Sequence, residues 1–346
     1  MKDESYIRAP SSFILHPSSL VRIGVVGVGY LGSHHARILS NLPGAQLVGI
    51  YDIDPAAAKR AARNSGCRLF RGNVELAEAV DAVVVATPTQ THVEVASEYL
   101  RRGKAVLVEK PIADTLEGGG ELVALAQRSG AKLQVGHSER FNPAFVAVSN
   151  FIDGPRFIET HRLTRSAGRG LDVDVVLDLM IHDIDLVASC SSADPSSISA
   201  VGVSVLSNTV DIANARLEFP NGSVANLVAS RISVSKMRKI RFFQPDTYIS
   251  VNLLTHKVKM YRKAGELDTQ RPLTALRIAR YIKRLPVHVV TFEPLRAELS
   301  AFVSSVANDT AAVVSGADGL RALKWAFEIK ESIDRHVKLF ADSTSP

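Results

Sequence analysis

The chain has 346 residues, a length that accommodates two domains, each large enough to bury a core of its own. Hydrophobic residues make up 46% and charged residues 22%, which excludes a disordered chain, and no apolar run approaches the roughly 20 residues that span a bilayer, so no membrane partner is expected. The net charge of +6 favours an anionic ligand such as a nucleotide, whereas the scattered basic residues, without an aromatic recognition motif, argue against nucleic acid.

Residues 1–20 precede the first strand pattern, and we interpret them as a disordered extension, although a translation start placed too early explains them equally well. Their acidic start and short apolar piece do not fit a secretory signal peptide. The two cysteines, Cys67 and Cys190, are too few for a disulfide framework in so long a chain. We therefore expect a protein of the reducing cytoplasm.

Short runs rich in Val and Ile alternate with helical stretches between Val21 and Gly136. The runs lie at 21–27, 46–52, 67–70, 82–87, 104–109 and 132–136. Because they are apolar on both faces, they predict a parallel sheet covered by helices on each side. Helix starts are indicated at Asp54-Pro55 and at Asp114. This pattern predicts an α/β fold, a doubly wound Rossmann domain over residues 21–145.

A second domain is predicted over residues 146–346 because the pattern changes after about Phe145. One helix-like segment, 175–189, precedes strand-like runs at 197–206, 211–219, 223–232, 240–243 and 247–254. Pro220-Asn221-Gly222 lies between two of these runs and indicates a hairpin turn. We expect an α+β domain with a mostly antiparallel sheet. Two helices are expected between about 294 and 338, and at least one of them should pack back on the first domain. Residues 263–286 are expected to form either a mobile loop or a helical insertion.

A dinucleotide site is indicated by residues 27–32, Gly-Val-Gly-Tyr-Leu-Gly, which follow the first strand and open a helix. Gly27 permits the tight turn, Gly29 allows the pyrophosphate to approach, and Gly32 lets helix and strand pack closely. Asp52 ends the second strand, where a carboxylate binds the ribose hydroxyls and repels a 2′-phosphate, so NAD is the predicted cofactor. The cofactor-binding residues predicted here are Gly27, Gly29, Tyr30, Leu31, Gly32 and Asp52.

Three further segments complete a recognisable set: Ala86-Thr87-Pro88 with His92, Glu109-Lys110-Pro111, and Asp178 to His182. With the glycine motif they resemble the Gfo/Idh/MocA oxidoreductase family over nearly all of the chain from Val21. The resemblance implies a site in which Lys110, Asp178 and His182 surround the nicotinamide and the reacting sugar carbon. It also adds Thr87, Pro88, His92, Glu109 and Lys110 to the cofactor-binding residues.

Within that family, residues 135–143 and 175–187 resemble the branch that acts on UDP-N-acetyl hexosamines, and most of all the UDP-N-acetylglucosamine 3-dehydrogenases of lipid A type amino-sugar synthesis. Many family members have glycine where this chain has Leu177 and Met180, a difference that we interpret as a branch feature. The resemblance implies a nucleotide-sugar substrate and a homodimer or homotetramer, for which the open face of the second sheet offers a surface.

The chemistry of alcohol oxidation assigns roles to three of these residues. Lys110 ends a parallel strand at the ligand-binding edge and can stabilise an alkoxide. His182 is the candidate base because an imidazole is the side chain whose ordinary pKa lies nearest neutral pH. Asp178, one helical turn earlier, can orient it. A surface lysine, a core histidine, or a metal site built from Asp178, His182 and Asp185 are the alternatives. The adjacent His34 and His35 face different directions, so we expect no metal site there.

Substrate-binding residues are expected after the last Rossmann strand. Arg140 suits a phosphate or a sugar hydroxyl, with a salt bridge between domains as the alternative. Asn142 can bind an N-acetyl group or a hydroxyl, and His137 opens the same stretch. The predicted substrate-binding set is therefore His137, Arg140, Asn142, Lys110, Asp178 and His182.

The leading functional hypothesis is NAD-dependent oxidation of a sugar secondary alcohol. Another sugar or inositol dehydrogenase of the same family stays open. So does an enzyme that keeps NAD tightly bound and oxidises its substrate transiently, to eliminate a glycosidic bond or pass hydride to a second sugar. A non-catalytic NAD-binding sensor is the alternative of another class, and Lys110, Asp178 and His182 argue against it because a sensor needs none of them.

Overall fold

The structure, a computed structural model, describes residues 20–165, 173–265 and 281–344. It divides into two compact units: the first runs to Ser138 and adds Glu293–Leu320, and the second comprises Glu139–Phe292 and continues from Arg321. The second unit thus begins at Glu139 and not at the predicted residue 146, and a late helical segment, Glu293–Leu320, belongs to the first unit. The predicted extension 1–20 lies outside the described residues apart from Leu20, and so does the larger part of 263–286.

The first unit contains a six-stranded parallel sheet in the order β3-β2-β1-β4-β5-β6, so the predicted doubly wound fold is confirmed. Its strands are nearly continuous in Val, Ile, Leu and Ala, and β1, β4, β5 and β6 are almost wholly buried. The strands are β1 Val21–Val26, β2 Ala45–Tyr51, β3 Arg68–Leu69, β4 Ala82–Val85, β5 Ala105–Glu109 and β6 Leu133–Gly136. Their carboxyl ends form one edge, where the motif residues lie.

Five helices connect these strands: α1 Tyr30–Leu39, α2 Pro55–Ser65, α3 Asn73–Ala79, α4 His92–Leu100 and α5 Leu116–Ser129. The predicted start at Asp54-Pro55 is confirmed, since the Asp54 carboxylate accepts a 2.8 Å hydrogen bond from the Ala56 N–H. The start predicted at Asp114 was wrong by one residue: Thr115 caps α5 by accepting a bond from the Gly118 N–H.

Helix α8, Pro294–Ala307, belongs to the first unit. Its Leu299, Phe302 and Val303 are fully buried in the same core as Ile23 and Val25 of β1. The prediction that one of the last helices packs on the first domain is therefore confirmed.

The second unit is built on an eight-stranded sheet in the order β14-β13-β12-β11-β7-β10-β9-β8, in which only β7 and β10 pair in parallel. The predicted mostly antiparallel sheet is confirmed, and β9 and β10 form the hairpin expected at 220–222. The strands are β7 Phe157–Arg165, β8 Ser197–Val203, β9 Ile212–Glu218, β10 Val224–Ser230, β11 Ile232–Phe243, β12 Thr247–Asn252, β13 Lys257–Lys263 and β14 Ile282–Leu285. The ends of the uncertain segment 263–286 thus pair as strands.

One face of this sheet is covered by helices, and the buried core lies between them. The helices are α6 Pro143–Val146, α7 Ile181–Ser189 and α9 Gly316–Thr344, of which α9 contributes to this unit from Arg321. Trp325 is fully buried in this core, and its ring centroid lies 5.7 Å from that of Phe219. No helix in the described ranges is long and apolar enough to cross a membrane.

Candidate functional site

The glycine turn after β1 is shaped by the absence of side chains. Gly27 has a φ of +83°, and a Cβ there would lie 2.7 Å from the backbone of Ala86 and Thr87. A Cβ on Gly32 would lie 1.8 Å from the carbonyl oxygen of Gly27, whereas one on Gly29 would meet open space. Gly27 and Gly32 are therefore required by the fold of the turn, and Gly29 leaves a clear approach to the start of α1.

The start of α1 fits a dinucleotide pyrophosphate. Gly29 precedes its first residue and provides no side-chain cap, and the first turn contains no acidic side chain. The first N–H groups of a helix and its dipole favour an anion in such a place. Tyr30 and Leu31, predicted to contact the cofactor, are exposed there, and the Tyr30 ring meets that of His34 edge to face at 4.9 Å.

Asp52 lies just after β2, beside this turn. Its carboxylate accepts hydrogen bonds from the Val28 N–H at 2.6 Å and from the Asp54 N–H at 2.8 Å. It therefore ties the glycine turn to the end of β2, and it is only partly buried. An acceptor in this position suits ribose hydroxyls, as the sequence predicted.

His92 connects the loops that follow β4 and β5. Its Nδ1 lies 2.9 Å from the Pro111 carbonyl oxygen, and its Nε2 lies 3.0 Å from that of Thr87. Burial lowers the pKa of His92, while these two carbonyls act in the opposite direction. With 1% of its surface exposed, His92 contacts backbone rather than solvent, and it holds the loop of Thr87 and Pro88 to the loop that begins at Lys110.

Glu109 ends β5 and is buried, and both of its carboxylate oxygens contact the protein. Oε1 lies 2.6 Å from Nε2 of His35, and Oε2 accepts a 3.2 Å bond from the Lys110 N–H. Burial opposes ionisation, yet His35 and the Lys110 charge hold the pKa of Glu109 below its usual value. Gly136 provides the space for this carboxylate, because a Cβ there would lie 2.9 Å from Oε2.

Asp178 and His182 lie on one continuous helical segment of the second unit. Asp178 is in a π-helical turn, Val176–Met180, that leads directly into α7, and such turns are frequent at functional sites. His182 is the one partly exposed residue in the otherwise buried run Ile181–Ala188, and Asp178 is also partly exposed. The Asp174 carboxylate accepts bonds from the Val176 and Leu177 N–H groups at the start of the segment. The structure thus presents both predicted side chains at the accessible part of this segment.

The predicted substrate-binding residues after β6 are largely occupied by protein contacts. Arg140 donates to both oxygens of Asp185, at 2.7 and 3.0 Å, within the second unit rather than between units. Asn142 caps α6 by accepting from the Ala144 N–H at 3.1 Å, and its amide donates to Glu139 and to the Leu253 carbonyl. The signal for this cap was the Asn-Pro pair, the same helix-start signal as Asp54-Pro55. His137 is 1% exposed.

A buried charge cluster was missed by sequence reasoning. Arg162 of β7 donates to both oxygens of Asp183, at 3.0 and 2.8 Å, and to Glu139 at 2.8 Å. Arg238 reaches the same Glu139 oxygen at 3.4 Å. Burial disfavours the charge of Arg162, but the two carboxylates raise its pKa. A charged residue at an inward-facing position of β7 was the available signal, and Asp183, adjacent to His182, is its partner.

The metal-site alternative is not supported. Across the described residues, which include Asp178, His182 and Asp185, no group of three or more His, Cys, Asp or Glu side chains could hold a metal ion. Asp185 instead receives the two bonds from Arg140.

Comparison with known proteins covers most of the chain. Residues 21–137 match the Gfo/Idh/MocA oxidoreductase family with an NAD-binding Rossmann fold, and residues 147–248 match the C-terminal domain of that family. A UDP-N-acetylglucosamine 3-dehydrogenase of Acidithiobacillus ferrooxidans is 33% identical over 316 residues, 91% of this chain and 97% of the relative. An inositol 2-dehydrogenase of Rhizobium meliloti is 28% identical over 88% of this chain and 94% of the relative.

Solved structures agree with these relatives. That of the Acidithiobacillus ferrooxidans UDP-N-acetylglucosamine 3-dehydrogenase has a TM-score of 0.84 and 32% identity, covering 92% of this chain and 98% of the other. A scyllo-inositol dehydrogenase of Lactobacillus casei, solved with NAD(H) and scyllo-inositol, has a TM-score of 0.75 at 20% identity, covers 92% and 98% of the two chains, and shares the fold. The predicted cofactor is therefore confirmed, and the chain belongs to the NAD-dependent Gfo/Idh/MocA oxidoreductase family.

Proposed function

We propose that this protein oxidises the C3 hydroxyl of UDP-N-acetylglucosamine to the 3-keto sugar, using NAD. The observation that carries the proposal is the similarity, along nearly the full length of both chains, to a dehydrogenase of that name. Such a product has a ketone where an amino group can be introduced, so the reaction suits amino-sugar synthesis of the lipid A type.

The proposed cofactor contacts are those of the strand edge in the first unit. Gly29 and the first N–H groups of α1 would hold the pyrophosphate, and Asp52 the adenosine ribose. Thr87 and Pro88, on the loop tied down by His92, line the same edge. When bound, NAD supplies the acceptor for the hydride that leaves the sugar carbon.

The protein residues handle the proton and the charge. The alcohol loses two electrons and two hydrogens: the hydride leaves carbon, and the hydroxyl proton goes to an imidazole nitrogen of His182. Lys110 stabilises the alkoxide oxygen through its ammonium group, and Asp178 orients His182. The partly exposed positions of Asp178 and His182 on a helix that is otherwise buried support these roles.

The remaining predicted substrate residues receive different roles from their contacts. Arg140 donates two hydrogen bonds to Asp185, which fix the plane of its guanidinium group, and we propose that this group recognises a phosphate or hydroxyl of the substrate. The polar atoms of Asn142 are already used by the α6 cap, Glu139 and Leu253, so we propose that it shapes the turn instead of contacting the sugar. The buried His137 begins that turn.

We further propose a cytoplasmic homodimer or homotetramer. The two cysteines, Cys67 and Cys190, are free thiols, which suits a reducing compartment. On the face of the second sheet opposite its buried core, four strands place aromatic rings in one cross-strand row: Phe157, Phe243, Tyr248 and Tyr261. Size-exclusion chromatography with light scattering measures the mass, and a monomer at micromolar concentration would contradict this assignment.

Activity is tested by NADH absorbance with a panel of UDP-N-acetylglucosamine, UDP-N-acetylgalactosamine, UDP-glucose, free hexoses and inositols. An aminotransferase and an amine donor remove the ketone and pull the unfavourable equilibrium forward. We expect NADH only with UDP-N-acetylglucosamine. Turnover with an inositol alone would instead favour the second candidate, which the inositol 2-dehydrogenase relative supports.

The residue assignment is tested by Lys110→Ala and His182→Ala. Each is expected to lower kcat by at least about 100-fold, because general-base and alkoxide-stabilising groups each contribute on that scale, while NADH still binds. Turnover retained in both variants would refute the assigned roles.

A further inference from the structure

His35 and Glu109 form a buried contact within the first unit. His35 lies on α1, the helix that begins at the glycine turn, and Glu109 is the last residue of β5, 74 positions later in the chain. Water does not compete for this hydrogen bond, because His35 is 0% and Glu109 7% exposed. The 2.6 Å contact therefore connects α1, which begins at the glycine turn, to the end of β5 directly before Lys110.

The Glu109 carboxylate is confined on all sides that the following contacts define. One oxygen contacts His35, the other accepts from the Lys110 N–H, and Gly136 of β6 leaves just the space that the carboxylate fills. A buried carboxylate is destabilising unless hydrogen-bond donors satisfy it, and the Lys110 N–H, at 3.2 Å, is the weaker of the two donors. His35 is thus the principal donor that keeps the carboxylate where it can hold the Lys110 backbone.

We propose that His35 is a positioning residue for Lys110: it fixes the buried Glu109 carboxylate, which in turn fixes the backbone of Lys110 at the end of β5. This assignment gives Glu109 a supporting role in place of a direct contact with the nicotinamide ribose. It rests on the proposed function, in which the Lys110 ammonium must meet the alkoxide in a defined geometry.

Replacing His35 should lower kcat strongly only when residue 109 is the native glutamate. His35→Leu removes the donor at similar bulk, so the carboxylate rotates or takes up a proton and the Lys110 backbone loses its anchor. We expect kcat to fall roughly 10- to 100-fold, the scale of a misplacement of about 1 Å, with the KM for the sugar nearly unchanged. In a Glu109→Gln background the same replacement should cost less than about 3-fold, because no buried charge then needs the donor.

Two further variants separate positioning from folding. His35→Gln keeps an N–H near the place of Nε2 and should restore most of the rate. His34→Leu makes the same substitution one position away, on a partly exposed residue, and should leave kcat and the melting temperature close to wild type. Equal losses for His35→Leu in both backgrounds, or no rescue by His35→Gln, would overturn the proposal.

A measurement without substrate makes the inference independent of the sugar. Amide hydrogen exchange of the segment from Glu109 to Ile112 should accelerate at least about 10-fold in His35→Leu relative to His34→Leu. If the wild-type protein oxidises none of the panel, the proposed function fails while this comparison still stands. Unchanged exchange at Lys110 in His35→Leu would refute the positioning role whatever the substrate.

Discussion

The dinucleotide edge of the first unit and the charged interior of the second unit are organised by opposite means. The glycine turn works by the absence of side chains: Gly27 and Gly32 leave no room for a Cβ, and the binding groups are backbone N–H groups. The cluster around Arg162 works by long side chains, whose buried charges are balanced by Asp183 and Glu139. A region of the first kind can be recognised from the spacing of neighbouring residues in the sequence, whereas one of the second kind depends on partners that are far apart in the sequence.

The largest effect should come from breaking the charged cluster. Arg162→Leu leaves Asp183 and Glu139 buried with Arg238 as the remaining guanidinium contact of Glu139, which should lower the free energy of unfolding by about 3–5 kcal/mol. Chemical denaturation measures this loss. Arg216→Leu is the control, because its bridge to Glu218 is exposed and should contribute less than about 1 kcal/mol. Similar losses in the two variants would contradict the distinction.

Replacing glycines tests the other region. Gly32→Ala forces a Cβ against the Gly27 carbonyl and should destabilise the unit by about 3 kcal/mol, together with loss of NADH binding. Gly29→Ala meets open space in the protein, so the melting temperature should stay within about 2 °C of wild type while NADH binds at least about 10-fold more weakly. Fluorescence titration with NADH provides the affinities. If Gly29→Ala binds NADH like wild type, its assigned place beside the pyrophosphate is wrong.

The same contrast explains what the sequence could predict. The glycine motif, Asp52 and the strand runs have fixed spacings, so the parallel sheet and the cofactor followed from them. The position of His35 also follows a helical period, because Gly32, His35, Ala36 and Leu39 are all buried on α1. Its partner Glu109 is 74 residues away, and no local pattern identifies which buried acid meets it.

Some local signals allow two interpretations, because two functions use the same residue type. Asn142 was assigned to the sugar because amides bind hydroxyl and acetyl groups, yet the proline after it marks a helix cap, and the cap uses its oxygen. For Arg140 the sequence leaves two roles open, substrate binding and a salt bridge between domains. Its partner Asp185 lies in the same unit as Arg140. A π-helical turn at Asp178 depends on a shift in backbone hydrogen bonding that side-chain periodicity does not reveal.

His92 shares a feature with each of the two regions: it is a buried titratable side chain, and its partners are backbone carbonyls. Burial lowers its pKa, so between pH 6.5 and the lowered value the folded protein binds fewer protons than the unfolded chain. The free energy of unfolding should therefore fall as the pH decreases below about 6.5, by no more than about 1.4 kcal/mol per pH unit from this group. Above about pH 7 the imidazole is neutral in both states and contributes no slope.

This smallest effect is isolated by comparing wild type with His92→Gln in denaturant titrations between pH 7.5 and 5. The glutamine can still donate to one of the two carbonyls, but it does not titrate, so the curve of stability against pH should be flatter for the variant. Acidic groups titrate in the same range in both proteins, and their contribution cancels in the difference. Parallel curves would contradict the lowered pKa of His92: hydrogen bonds from the charged ring to the Thr87 and Pro111 carbonyls would then offset the cost of burying its charge.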